Sequence, residues 1–212
     1  MNRRIIKHAS IASALALVVA ACATTPPPAA VLSPPTGPCD AQLVLEDVLL
    51  LEAPRGSSAK RMAAPLLAET PCWADPVSSE NVPYVVAQLP ETEGQVLLTV
   101  SSVNEAIRML ALNVRMLNAE GAVVRSFERD NYLSLGDGYS LQIRPREGET
   151  MVLVTSAPEL VGKSIESIHM GIVTNSTYTQ YGSFNYSSGM DSNHSRQFSY
   201  EGSVVFQILN TP

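Results

Sequence analysis

Few side chains in this 212-residue chain are of the types and spacings that do chemistry. Ser188, Asp191 and His194 supply the three residue types of a hydrolase triad within one short stretch. A triad works by geometry, however, and no Gly-x-Ser-x-Gly elbow sets a serine on a strained turn. Three such residues in a serine-rich stretch are expected by chance, so no catalytic residue is assigned and the chain reads as non-catalytic. Asp191-Ser192-Asn193 has the opening of a calcium loop, yet Arg196 stands where the sharp turn needs glycine and no Glu closes the set. HExxH, phosphate-loop and dinucleotide signatures are missing. His169, between Ile168 and Met170, reads as a structural strand residue. Neither a metal nor a cofactor is expected.

A different chemistry is offered by Ser176 to Gly202, where Tyr178, Tyr181, Phe184, Tyr186, Phe198 and Tyr200 lie among Ser, Thr, Asn, Gln and Gly. Ring faces can pack on the C–H groups of a sugar while hydroxyls and amides bond its edge. Trp73, Tyr178, Tyr181 and Tyr186 therefore form a candidate ligand-contact set. The same composition suits a long hairpin whose rings pack on a sheet or pair across strands, which is the simpler reading. A polar–aromatic low-complexity loop is the third.

Cys22 carries the sharpest signal. Arg3, Arg4 and Lys7 make a basic start, and Ala9 to Ala21 is uncharged. That run is shorter than the roughly 20 apolar residues of a membrane-spanning helix and fits a signal-peptide core, so residues 1–21 read as a leader. It ends in Val19-Ala20-Ala21-Cys22, which resembles a bacterial lipobox: an aliphatic residue, two small ones, and the cysteine whose thiolate takes a diacylglycerol. The expectation is cleavage before Cys22, three acyl chains and near-permanent membrane attachment. Ala23 follows, where lipoproteins kept in an inner membrane often carry Asp. The expected address is thus the bacterial envelope, at the outer membrane and facing the periplasm.

Residues 22–38 are the lipidated cysteine and a tether. Pro26, Pro27, Pro28, Pro34, Pro35 and Pro38 remove amide donors and favour extended polyproline II. Cys39 and Cys72, exported to an oxidising compartment, are expected to form a disulfide. Closing that loop would stabilise the fold by about 3–4 kcal/mol in the chain-entropy account. Residues 39–81 thus read as a disulfide-closed segment, in which AQLVLEDVLLLEA fits a short helix or a buried strand equally well.

From Val82 to the end the pattern is one of strands. VPYVVAQL, QVLLTVSSV, IRMLALNVRML, AVVRSF, YSLQIR, TMVLVTS, SIHMGIVT and GSVVFQIL are short aliphatic runs between turn residues. Leu110, Leu112, Val114 and Met116 share one parity and Asn113 and Arg115 the other, and Val204, Phe206 and Ile208 repeat the alternation. Period two places one face on a core and the other in water. Asn118 to Gly121 and Asp137-Gly138 supply turns. The expected fold is all-β, an antiparallel sandwich or jelly roll over residues 82–212, with an irregular or short helical N-terminal segment.

Three stretches in order, VPYVVAQLPETEGQVLLTVSS, ALNVRMLNAEGAVVRSF and TMVLVTSAPELVGKS, resemble the maltose operon periplasmic protein (MalM) family. The resemblance runs from Val82 to Ser164. It implies an envelope β-domain linked to maltose or maltodextrin transport, with no catalytic residues to carry over.

Charge narrows the partners. The chain has 14 bases and 20 acids; three of the bases, Arg3, Arg4 and Lys7, lie in the leader, so 11 bases face 20 acids in the mature chain, a net −9. No basic stripe is available for nucleic acid. The expected partners are a membrane through the lipid anchor, and either a carbohydrate or an envelope protein docked through a sheet edge or the Tyr-rich hairpin.

Overall fold

The alternating runs pair into two sheets in a computed structural model that describes residues 26–211 apart from Ser57, Glu93, Gly136, Asp137, Gln180 and Tyr181; residues 135 and 167–194 are described by backbone alone. In chain order the strands are β1 (Leu49–Leu50), β2 (Lys60–Leu66), β3 (Cys72–Asp75), β4 (Glu80–Gln88), β5 (Val96–Glu105), β6 (Arg108–Leu110) and β7 (Leu112–Leu117). They continue as β8 (Val123–Ser126), β9 (Tyr132–Leu135), β10 (Gly138–Ile143), β11 (Met151–Ser156), β12 (Ser164–Thr179), β13 (Gly182–Ser199) and β14 (Gly202–Asn210). Two short 3-10 turns, Arg129–Asn131 and Pro158–Leu160, are the helical content among the described residues. The fold is all-β.

One sheet runs β1-β4-β11-β7-β8, with β3 also on β4. The other runs β12-β13-β6-β5-β10-β9, and β14 joins β5 to β2. Pairing is antiparallel except between β1 and β4 and between β13 and β6, so both sheets are mixed. Pro65 lies in β2, which pairs only with β14 among the described strands, an edge position that tolerates a missing amide donor.

Leu98, Val100, Leu141, Val204, Phe206 and Ile208 of the second sheet meet Leu112, Val114, Met116, Val152 and Val154 of the first in one buried cluster. Val204, Phe206 and Ile208 alternate with half-buried Ser203, Val205 and Gln207, as period two requires. The run IRMLALNVRML, expected as one strand, is two. Ala111 breaks it, its amide bonded to Ser199 and its carbonyl accepting from Ala157, and β6 and β7 then join different sheets.

The supposed water face of β7 is covered. Trp73, Val82, Tyr84, Leu117, Met151, Leu153 and Tyr200 form a second cluster against Val31, Leu43, Leu45 and Val48. This explains why every residue of β11 is buried. The segment 39–81 is therefore part of the sandwich: β2 extends one sheet, β3 the other, and the run from Ala41 to Val48 is irregular rather than helical. The Cys39–Cys72 disulfide fixes its start with a Cα separation of 4.8 Å, and Asp40 bridges to Trp73 beside it.

Gly202 opens β14 because the chain passes tightly there. A Cβ on it would lie 2.9 Å from the Leu110 backbone nitrogen. The expected turn at Asn118 to Gly121 is present, with Gly121 at φ +80° and Asn118 Oδ1 accepting from the Ala122 amide at 2.8 Å.

Candidate functional site

β12 and β13 form a hairpin of 16 and 18 residues, paired in unbroken register from Ser164↔Gln197 to Thr179↔Gly182. At about 3.3 Å per residue it is an arm about 50 Å long. Only Gln197–Ser199 continue into another strand, pairing in parallel with Arg108–Leu110 of β6. Among the described residues, neither β12 nor positions 182–195 of β13 have a second strand partner. Proteins usually blunt such edges with charges or proline. From Ser167 to Met190 the sequence has no Asp, Glu, Lys, Arg or Pro.

The arm is rooted firmly. Phe198 is buried and meets Tyr139 edge-on at 5.3 Å, and Tyr139 stacks on Tyr132 at 5.1 Å. The Tyr132 hydroxyl accepts from the Val114 amide at 2.9 Å, tying the root to the opposite sheet. Burial pushes the Tyr132 phenol up to about 12, so it stays neutral across the physiological range. Backbone amides of Phe198 and Gly162 donate to Lys163 and Phe198 carbonyls, each at 2.9 Å, closing the arm's base.

The N-terminal tether ends at the same place. The Val31 amide donates to Ser199 Oγ at 2.9 Å, and the Tyr200 amide donates to the Val31 carbonyl at 2.9 Å. Arg108 donates to the Ala29 carbonyl at 3.2 Å while paired with Glu105 at 2.8 Å and Glu201 at 3.5 Å. The stretch of the tether from Ala29 onward is thus bound to the domain. Burial, reinforced by a hydrogen bond to Glu80, raises the Tyr200 phenol above its usual range.

The aromatic ligand-contact set is not assembled into one site. Trp73 is only 6% exposed in β3 and lies beneath Arg115, whose Cζ is 5.5 Å from the ring centroid. Arg115 in turn holds Asp75 through two bonds of 2.8 and 2.6 Å, and both are buried. Burial alone would raise the Asp75 carboxyl; the Arg115 guanidinium, the Val77 amide and the Ser78 hydroxyl outweigh it and hold it below the usual carboxylate range. Tyr178 pairs with Ser183 and Tyr186 with Asn175, register positions of opposite parity in one ladder. Tyr181 and the lipidation candidate Cys22 lie outside the described residues. Ser188, Asp191 and His194 follow one another along extended β13, about 10 Å apart at each step, so the backbone does not gather them.

A polar groove that sequence reasoning missed lies on the second sheet. Arg61, Ser102, Asn104, Ser140 and Gln207 line about 580 Å³ of it. Ser102 Oγ and the Asn104 amide have no hydrogen-bond partner among the described residues. Nothing in the sequence flags these positions, which come from four different strands. Among the described residues no cluster of His, Cys, Asp or Glu could hold a metal ion, and no helix is long and apolar enough to cross a membrane.

Fold and site together define a class: a two-sheet β-sandwich with one long projecting hairpin. No family model matches the chain, and no match is found among curated proteins or solved structures.

Proposed function

We propose that the chain is a non-catalytic docking module of the bacterial envelope, lipid-anchored through Cys22 at the periplasmic side of the outer membrane, which engages a protein partner along the β12–β13 arm. The carrying observation is the arm itself: two long strands without a second strand partner among the described residues over most of their length, and with no charge or proline from Ser167 to Met190 to protect their edges. A photo-reactive residue at Ser176 in the arm, compared with one at exposed Val124 on β8, tests it in intact cells. Crosslinks to an envelope protein from position 176 alone support docking. Equal crosslinking from both positions, or none from 176, removes it.

A second reading is carbohydrate binding, tied to the resemblance to the maltose operon periplasmic protein family. Its support is the groove with unpartnered Ser102 and Asn104 groups. Buried Trp73 does not contribute. Calorimetry with maltodextrins on the parent and Asn104→Ala tests it: heat of binding lost in the variant favours the reading, and no heat with the parent ends it.

A further inference from the structure

We infer that the groove on the outer face of the second sheet binds a short oligosaccharide carrying a carboxylate, which Arg61 grips. This ligand differs from both partners proposed above. It occupies the groove of the second reading but bears a charge that a maltodextrin lacks, and it leaves the arm free.

Alternation builds the groove. Val204, Phe206 and Ile208 turn into the core, so Val205 and Gln207 fall on the outer face of β14. Register carries that face across the sheet: Arg61 of β2 opposes Gln207, Val205 opposes Ser101 of β5, and Ser101 opposes Ser140 of β10. Four strands set about 4.8 Å apart make a face about 14 Å wide. Small side chains at Ser101 and Ser140 keep the floor low. The space above it is about 580 Å³, inside the range of about 300–1,000 Å³ found for ligand sites.

Charge points to an anion. In a chain of 20 acids and 14 bases, Lys60, Arg108, Arg115, Arg125 and Arg129 each pair with a carboxylate. Arg61 does not. Its Nε donates at 2.6 Å to Gln207 Oε1, a neutral amide oxygen, and no other hydrogen bond or ion pair holds it among the described residues. That bond steadies the guanidinium and leaves both terminal nitrogens for a ligand. A guanidinium presents parallel N–H donors that match the two oxygens of a carboxylate. Arg196 also lines the groove, and the described lining holds neither Asp nor Glu. An acidic chain has here concentrated the opposite charge.

Neutral groups select the body of the ligand. The Ser101 hydroxyl has no protein partner among the described residues, and Ser140 Oγ donates only a long bond of 3.5 Å to the Leu133 carbonyl. The Gln207 amide nitrogen stays available once Oε1 has accepted from Arg61. Hydroxyls that both donate and accept suit the hydroxyls of a sugar, which do the same. The described lining contains no aromatic ring, so a neutral glucan would find no ring face to stack on. Charge-assisted hydrogen bonds are roughly twice as strong as neutral ones and supply what stacking does not. A carboxylate at Arg61, with sugar hydroxyls over Ser101 and Ser140, uses both kinds of group.

The test is calorimetry on the full-length processed chain in detergent, titrated with tetragalacturonic acid, maltotetraose and sodium acetate in turn. Parent and Arg61→Gln are compared, with thermal unfolding of each measured alongside. Arg61 is exposed, so R61Q should unfold at the parent's temperature. Binding of tetragalacturonate by the parent, at least about tenfold tighter than maltotetraose or acetate and at least about tenfold weaker in R61Q, supports the inference. No heat with tetragalacturonate overturns it. Equal binding of maltotetraose overturns it in favour of a neutral carbohydrate, and equal binding of acetate reduces the site to a bare anion contact. Unchanged binding in R61Q places the ligand elsewhere. If R61Q also lowers the unfolding temperature, Ser101→Val reads the site instead by filling the groove floor, and unchanged binding in S101V overturns the assignment.

Discussion

Arg115→Ala isolates the most costly buried group in the sandwich. The Arg115 and Asp75 side chains are 5% and 1% exposed and joined by two short hydrogen bonds. Truncating Arg115 leaves the carboxylate buried with only the Val77 amide and Ser78 hydroxyl to hold it. Breaking a buried ion pair from one side costs about 3–5 kcal/mol, and the cation over Trp73 is lost as well. For a domain of this size that is a fall in Tm of about 6–20 °C. The sign with pH follows from the carboxyl. In the parent its pKa is depressed on folding, so the stability it contributes is present above about pH 4, the unfolded value, and is lost as pH falls through the lower folded value. In the variant, losing the guanidinium raises the carboxyl's pKa relative to the parent, because burial is then opposed only by the Val77 amide and the Ser78 hydroxyl. The poorly compensated charge makes the variant's deficit largest above the unfolded value, and the gap narrows as pH falls through the parent's lower folded value. Urea unfolding followed by fluorescence of Trp73, the single tryptophan, reads both effects. A loss below about 1 kcal/mol at pH 7, or a gap that widens on acidification, would refute the reasoning.

Two further substitutions test the frame. Cys72→Ser opens the loop closed on Cys39 and should lower unfolding free energy by about 2–4 kcal/mol in urea titration; an unchanged midpoint would show that the crosslink adds nothing. Gly202→Ala places a methyl 2.9 Å from the Leu110 nitrogen, and overpacking there should cost about 1–3 kcal/mol in the same assay, whereas a neutral result would mean that β6 and β14 can separate.

What the sequence made legible was what local periodicity encodes. β14 and the β7–β8 turn at Asn118 to Gly121 follow from alternation and glycine placement, and the all-β class follows from eight such runs. Ala111 is apolar, so nothing local marks the point where one run leaves one sheet for the other; the break is set by bonds to Ser199 and Ala157, far along the chain. Arg115 sits at a position that alternation assigns to water, and its cover comes from Trp73 and Asp75, about 40 residues earlier. The same distant pairing removed Trp73 from the ligand-contact set. β2 contains two alanines and Pro65, too weak a pattern to stand out. The arm was readable as one of three options, a long hairpin, because polar strands lack the hydrophobic contrast by which strands announce themselves. Its separation from the sandwich could be seen only in the pairing.

Val31 meets Ser199 and Tyr200 where β13 leaves the sandwich, and that placement has a mechanical consequence. Under the proposed anchoring, a tug from a drifting lipid would enter the fold at the Ala29–Arg108 bond and then at this seam. The load would bypass the disulfide and arrive at the rim of the second apolar cluster, where Val31 packs, and it would be shared there with a few hydrogen bonds at the root of the hairpin. Motion of the leaflet would then steer the projecting ribbon before it strained the body that carries it.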